Sequence, residues 1–228
     1  MTTIAVRPSE RALEVARALT DIAGAAVRTE PGDASDDEYL RALSAPDVAL
    51  GVIAVDGSGW DIVRRSGKPV VLVSERVCPG RAIKRVLVPL DGTDESAHAV
   101  AESVRLFRAV GAEIIVLHVF DAGTVPGYWD QAAHAREAWE HEFLARYCTP
   151  HFPGPAPALT LRTGQPGENV VDVAAEHADM IILGWSQNLE SGRARTVRKT
   201  VAEAAVPVML VPQARGLRPS PPLDASSA

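Results

Sequence analysis

The stretch RVLVPLDGTDESAHAVAESVRLFRAVGAEIIVLHVF, Arg85 to Phe120, decides the architecture. Arg85 to Leu90 is rich in β-branched and apolar residues, as a strand covered on both faces requires. Asp91 and Gly92 predict a turn, and Thr93 or Asp94 can accept the first N–H groups of a helix. Ala97, Val100, Ala101, Val104 and Phe107 then recur at helical spacing and fall on one face. Gly111 suits the helix stop, and Ile114 to Val119 reads as a second buried strand. Strand, crossover helix and strand make a βαβ unit, whose strands run parallel.

Working outward, the alternation continues. Leu159 to Arg162, Met180 to Leu183 and Val208 to Val211 are strand candidates, with helices over Glu168 to Glu176 and Val197 to Ala204. Five strands and four helices fit between residues 84 and 212, one complete domain. The predicted fold class is α/β, with an open, mainly parallel, doubly wound sheet.

The first part of the chain repeats pieces of this plan. VRTEPGDASDDEYLRALSAPDVALG reads against LRTGQPGENVVDVAAEHADMIILG, and KPVVLVSE (Lys68 to Glu75) against VPVMLVP (Val206 to Pro212). IAVRPSERALEVARALTDIAG parallels the strand and helix after Arg85, with Gly24 in the role of Gly111. Gly24 runs almost directly into Ala26 to Arg28, so this half lacks the second strand and the helix after it. The expected organisation is two tandem copies: a truncated one over residues 1–76, a linker over 77–83 with Pro79 and Gly80, and the complete one over 84–212. The Pro-rich segment 213–228 reads as a disordered tail.

Composition narrows the function classes. At 228 residues, 46% hydrophobic and 23% charged, the chain has the make-up of a soluble globular protein. A net charge of −6 gives no global field for nucleic acid, so a nucleic-acid partner is not expected. Cys78 and Cys148 stand alone, without metal-ligand spacing, and no segment has the length or apolarity of a membrane span. The expectation is a cytoplasmic protein with no metal and no membrane association.

Taken in order, VLVPLDGTDESAHAV, IIVLHVF, the turn from Gly164 to Pro166, DMIILGWS and VPVMLVP resemble the universal stress protein family. The resemblance covers residues 84 to 212. It implies an adenine nucleotide alpha hydrolase-like sheet and, in many members, ATP bound where the strands end. It also implies pairing through the last strand of each copy, here within one chain through the strands of Lys68 to Glu75 and Val206 to Pro212. Asp91 matches the acidic residue facing the adenosine end of the nucleotide, and Val119 the strand end whose backbone contacts adenine. The cofactor set carried over is Pro89, Leu90, Asp91, Val119, Gly164, Gly184, Gly192, Arg193, Arg195 and Thr196. A plainer reading has Asp91 and Gly92 making the turn alone.

The loop LGWSQNLESGRARTV, Leu183 to Val197, departs from the family. ATP-binding members carry a glycine, a second after two residues, and a third after nine more, followed by Ser or Thr. Small residues there let backbone N–H groups approach phosphate. Gly184 matches the first glycine, but Gln187 and Val197 hold the other two positions. Arg193, Arg195, Arg198 and Lys199 crowd the same segment and could hold phosphate as cations, or they are the solvated face of a helix start. In the truncated copy the corresponding loop is shorter and nothing in IAVRPSER matches Asp91, so that half is not expected to bind nucleotide.

Other constellations are bland. SGKP (Ser66 to Pro69) leads into a strand and lacks the hydroxyl of a phosphate loop, and Asp33, Asp36, Asp37 and Glu38 begin a helix. His134, Glu137 and His141 spread too far along one helix for a single ion, and no nucleophile pair marks a hydrolase. His118 reads as structural. Tyr128, Trp129, Trp139, Phe143, Tyr147 and Phe152 make the region from Tyr128 to Phe152 aromatic, either to pack on the sheet or to present a surface to a protein partner.

Overall fold

The computed structural model describes residues 1–55, 59–78, 80–120, 133–190 and 194–213. All but the first residue of the segment read as a disordered tail lies outside them. The first half runs β1 (Thr3–Val6), α1 (Glu10–Ala23), β2 (Ala26–Thr29), α2 (Asp36–Leu43), β3 (Val48–Val55), α3 (Trp60–Arg65) and β4 (Val70–Ser74). The second runs β5 (Arg85–Pro89), α4 (Asp94–Ala109), β6 (Glu113–Phe120), α5 (Ala133–Phe143), β7 (Ala158–Thr163), α6 (Pro166–His177), β8 (Met180–Trp185), α7 (Arg195–Glu203) and β9 (Val208–Pro212). A π turn over Leu144–Cys148 continues α5.

Local chemistry starts and stops these elements. Ser9 accepts from the Ala12 N–H, Ser35 and Glu38 form a reciprocal capping box, and Thr93 accepts from the Ser96 N–H. Gly24 ends α1 at a φ of 56°, a left-handed conformation that costs glycine nothing. Just two residues, Gly24 and Ala25, separate α1 from β2, and this short connection delivers β2 directly beside β1.

Among the described residues nine strands form one sheet in the order β2-β1-β3-β4-β9-β8-β5-β6-β7. Every neighbouring pair is parallel except β4 and β9, which run antiparallel with Val70 opposite Leu210, Val71 opposite Met209 and Leu72 opposite Val208. The register is symmetric about Val71 and Met209. Strand β2 has the sequence kinship with β7, yet it lies beside β1 where β6 lies beside β5.

Helices cover both faces, so the inner strands are largely apolar, while the edge strands β2 and β7 carry Arg28, Thr29, Arg162 and Thr163. One face packs Val15 and Leu19 of α1, Val100, Val104 and Phe107 of α4, and Phe143 of α5 against Ile4, Val71, Val86, Val116 and Met209. The other packs Tyr39 of α2, Ile62 of α3, Val173 of α6 and Val201 of α7 against Val70, Leu87, Ile181 and Leu210. Each such side chain, fully buried, contributes about 1.5–3 kcal/mol of transfer free energy. In the second half the order leaves β5 with β6 on one side and β8 on the other. Chain connections reverse direction there, and in open α/β sheets such a switch point opens a crevice at the strands' carboxyl ends.

Candidate functional site

A cavity of about 510 Å³ lies at that crevice. Its walls are the ends of β5, β6 and β8 (Pro89, Val119 and Trp185), the first turns of α4, α6 and α7 (Ser96, Pro166 and Arg195), and Gln213 just beyond β9. Three helix N-termini therefore converge on one space, and their dipoles make it favourable for negative charge. Neither Gln165 before α6 nor Ala194 before α7 supplies a side-chain cap. The first-turn N–H groups of those helices thus lack the usual side-chain acceptor.

Of the residues carried over from the family pattern, Pro89, Leu90, Asp91, Val119, Gly184, Arg195 and Thr196 line this cavity. Gly164 does not; at a φ of 114° it makes the turn into α6, its N–H donating to the Phe120 carbonyl at 2.9 Å. Gly192 and Arg193 lie outside the described residues. Ser96, His118, Trp185 and Gln213 complete walls that sequence reasoning left out. Their signal was positional: Trp185 closes β8, and Gln213 follows β9.

Asp91 makes the turn and also lines the cavity. Its Oδ1 accepts from the Thr93 N–H at 3.0 Å and the Thr93 hydroxyl at 2.7 Å, fixing the turn before α4, while the residue stands exposed at the cavity rim. His118 is buried, and its Nδ1 lies 2.8 Å from the Leu90 carbonyl. A carbonyl can only accept, so Nδ1 carries the proton. Burial pushes the His118 pKa below its ordinary 6.5, partly opposed by that hydrogen bond and by Asp91.

The loop after β8 has its own logic. A Cβ on Gly184 would stand 3.2 Å from the Ser96 carbonyl oxygen and 3.3 Å from Ala99 Cβ, so this glycine lets α4 approach β8. Gln187 holds a φ of 59°, a left-handed backbone that costs a non-glycine residue roughly 1–2 kcal/mol. It therefore keeps the conformation that a glycine would adopt freely. Val197 is a buried residue of the α7 core face. Among the cations, Arg198 donates to the Leu189 carbonyl and lies over the Trp60 ring, and Lys199 pairs with Glu168 and Glu203. Arg195 and Thr196, at the start of α7, face the cavity wall.

The aromatic segment is core where it is described. Phe143, Tyr147 and Phe152 are buried, and Trp139 stacks on Phe143 and His118. These rings pack on the sheet and on one another, and Tyr128 and Trp129 lie outside the described residues. Burial pushes the Cys148 thiol up to about 12. In the first half, the Arg7 guanidinium bridges Asp36 at 2.6 Å and the Ala34 carbonyl at 2.9 Å just beyond the end of β1. Among the described residues no group of three or more His, Cys, Asp or Glu could hold a metal ion, and no helix is long and apolar enough to cross a membrane. The side chain of His134 is not among those described.

A model of the universal stress protein family matches residues 82–212. Among solved structures, a universal stress protein of Archaeoglobus fulgidus DSM 4304 is 16% identical, with 84% of this chain and 73% of that one covered at a TM-score of 0.58. A functionally unknown protein of Pseudomonas aeruginosa PAO1 is 14% identical, with 92% and 82% covered at 0.59. A universal stress protein solved in complex with cAMP is 20% identical, with 59% of this chain and 100% of that one covered at 0.44. No curated protein matches the sequence.

Proposed function

Given that the chain belongs to the universal stress protein family, we propose that it is a regulatory, stress-response binding module whose second half holds an adenine nucleotide, ATP foremost. The observation that carries this reading is the cavity at the switch point, where Asp91, Val119 and two helix N-termini without side-chain caps meet Arg195 and Thr196. Asp91 would hold the ribose end and the Val119 backbone the base. The phosphates would lie against the first turn of α7, with the Arg195 guanidinium replacing the contacts a glycine loop makes.

The chain as a whole is read as two copies. Support comes from the repeated segments, the shared strand–helix order and the symmetric pairing of β4 with β9. The first copy is read as holding no nucleotide, since nothing in it matches Asp91.

Calorimetric titration with ATP and magnesium tests the reading. Saturable binding is expected, and none at millimolar ATP rejects it. Asp91→Ala should weaken ATP and adenosine alike, about tenfold for a lost hydrogen bond to a charged group. Arg195→Ala should weaken ATP by a similar factor while leaving adenosine unchanged; equal losses for both ligands would mean that the phosphates lie elsewhere.

A further inference from the structure

Gln187 stands where the family loop carries its second glycine, and its side chain does what no glycine can. Nε2 donates to the carbonyls of Val63 at 3.2 Å and Ser66 at 2.6 Å. These carbonyls belong to the last turn and C-cap of α3, where a helix leaves acceptors without intrahelical donors. A residue of the cavity loop in the second half thus caps a helix of the first. Two more contacts join the same partners. Trp60, the first residue of α3, lies edge-on to the cavity wall Trp185 with ring centroids 6.3 Å apart. The Arg198 guanidinium lies 5.6 Å from the Trp60 ring centroid, and its Nη2 donates to the Leu189 carbonyl at 3.3 Å, tying α7 back to the loop.

We infer that α3 of the first half positions the ligand loop of the second, with Gln187 as the latch, so that occupation of the cavity and docking of α3 are one linked equilibrium. The inference rests on the adenine-nucleotide reading of the cavity. A glycine loop is free to adapt to phosphate when the ligand arrives. This loop is held beforehand at Trp185, Gln187 and Leu189 by contacts that the same chain supplies, which lowers the ordering cost of binding. Linkage is reciprocal: a ligand that favours the latched loop must tighten α3. Through this contact the first half regulates the site next door.

Calorimetry with ATP and magnesium on the full chain, combined with hydrogen exchange over residues 60–66 with and without nucleotide, tests this. In the wild-type chain nucleotide should slow exchange in α3. Gln187→Gly relieves the left-handed backbone and removes the amide; it should bind ATP more weakly by roughly fivefold or more, and its α3 exchange should no longer respond to ligand. Trp60→Phe, which keeps a ring against Trp185 and Arg198, should bind like the wild type, whereas Trp60→Ala should follow Gln187→Gly. Binding by Gln187→Gly as tight as or tighter than wild type overturns the latch, even with a lowered melting temperature. Wild-type α3 exchange indifferent to bound nucleotide overturns it as well. If the wild-type chain takes up no nucleotide, the reading of the cavity fails instead. The latch is then decided by exchange without ligand: faster α3 exchange in Gln187→Gly upholds it, and equal exchange overturns it.

Discussion

Single positions carry the chemistry, and His118 shows how one reports on its surroundings. Buried among Phe120, Trp139 and Phe143, with Nδ1–H on the Leu90 carbonyl, it is held neutral below its ordinary 6.5. Between the lowered folded value and 6.5 the unfolded chain binds the proton and the folded chain does not. Its contribution to stability is therefore complete above 6.5 and is lost as pH falls from there through the lowered folded value. Melting curves from pH 7 to pH 5 should fall more steeply for the wild type than for His118→Gln, and parallel curves would contradict this account of His118. Part of the cavity lining was legible: the resemblance pointed to Asp91 after a strand, and the cationic loop to Arg195, which begins α7. Gln187 could not, because a φ of 59° and hydrogen bonds to Val63 and Ser66 depend on a helix more than a hundred positions away.

At the scale of elements, α4 approaches β8 closely beside the cavity. Gly184 permits it, and Gly184→Ala pushes a methyl group against the Ser96 carbonyl and Ala99. The substitution should destabilise the fold by about 1–3 kcal/mol, measured by chemical denaturation. A loss near zero would show that α4 can retreat without cost. The periodicity of Arg85 to Phe120 was enough to place β5, α4 and β6, because caps and apolar spacing are local properties. The position of β2 was not readable in that way. Its sequence resembles β7, but it takes the place beside β1 that β6 takes beside β5, to which the connection at Gly24 and Ala25 delivers it, a property of the assembled sheet. The aromatic run from Trp139 to Phe152 was equally ambiguous, since burial is decided by what the rings meet.

Across the whole molecule, the antiparallel contact of β4 with β9 joins two parallel sheets into one and covers the edge that each would otherwise expose. With that edge used within the chain, sedimentation equilibrium should find a monomer, and an obligate dimer formed through β4 and β9 would contradict the arrangement. The same junction brings α3 against the loop after β8, so the first half supplies part of the surroundings of the cavity in the second. The account's central claim is that a single adenine nucleotide sits at the switch point of the second half. The most direct measurement is to saturate the full chain with ATP and magnesium, remove free ligand, release what is bound by heat and identify and count it by mass spectrometry. One nucleotide per chain, lost in Asp91→Ala, is the predicted result; none, or two, would contradict it.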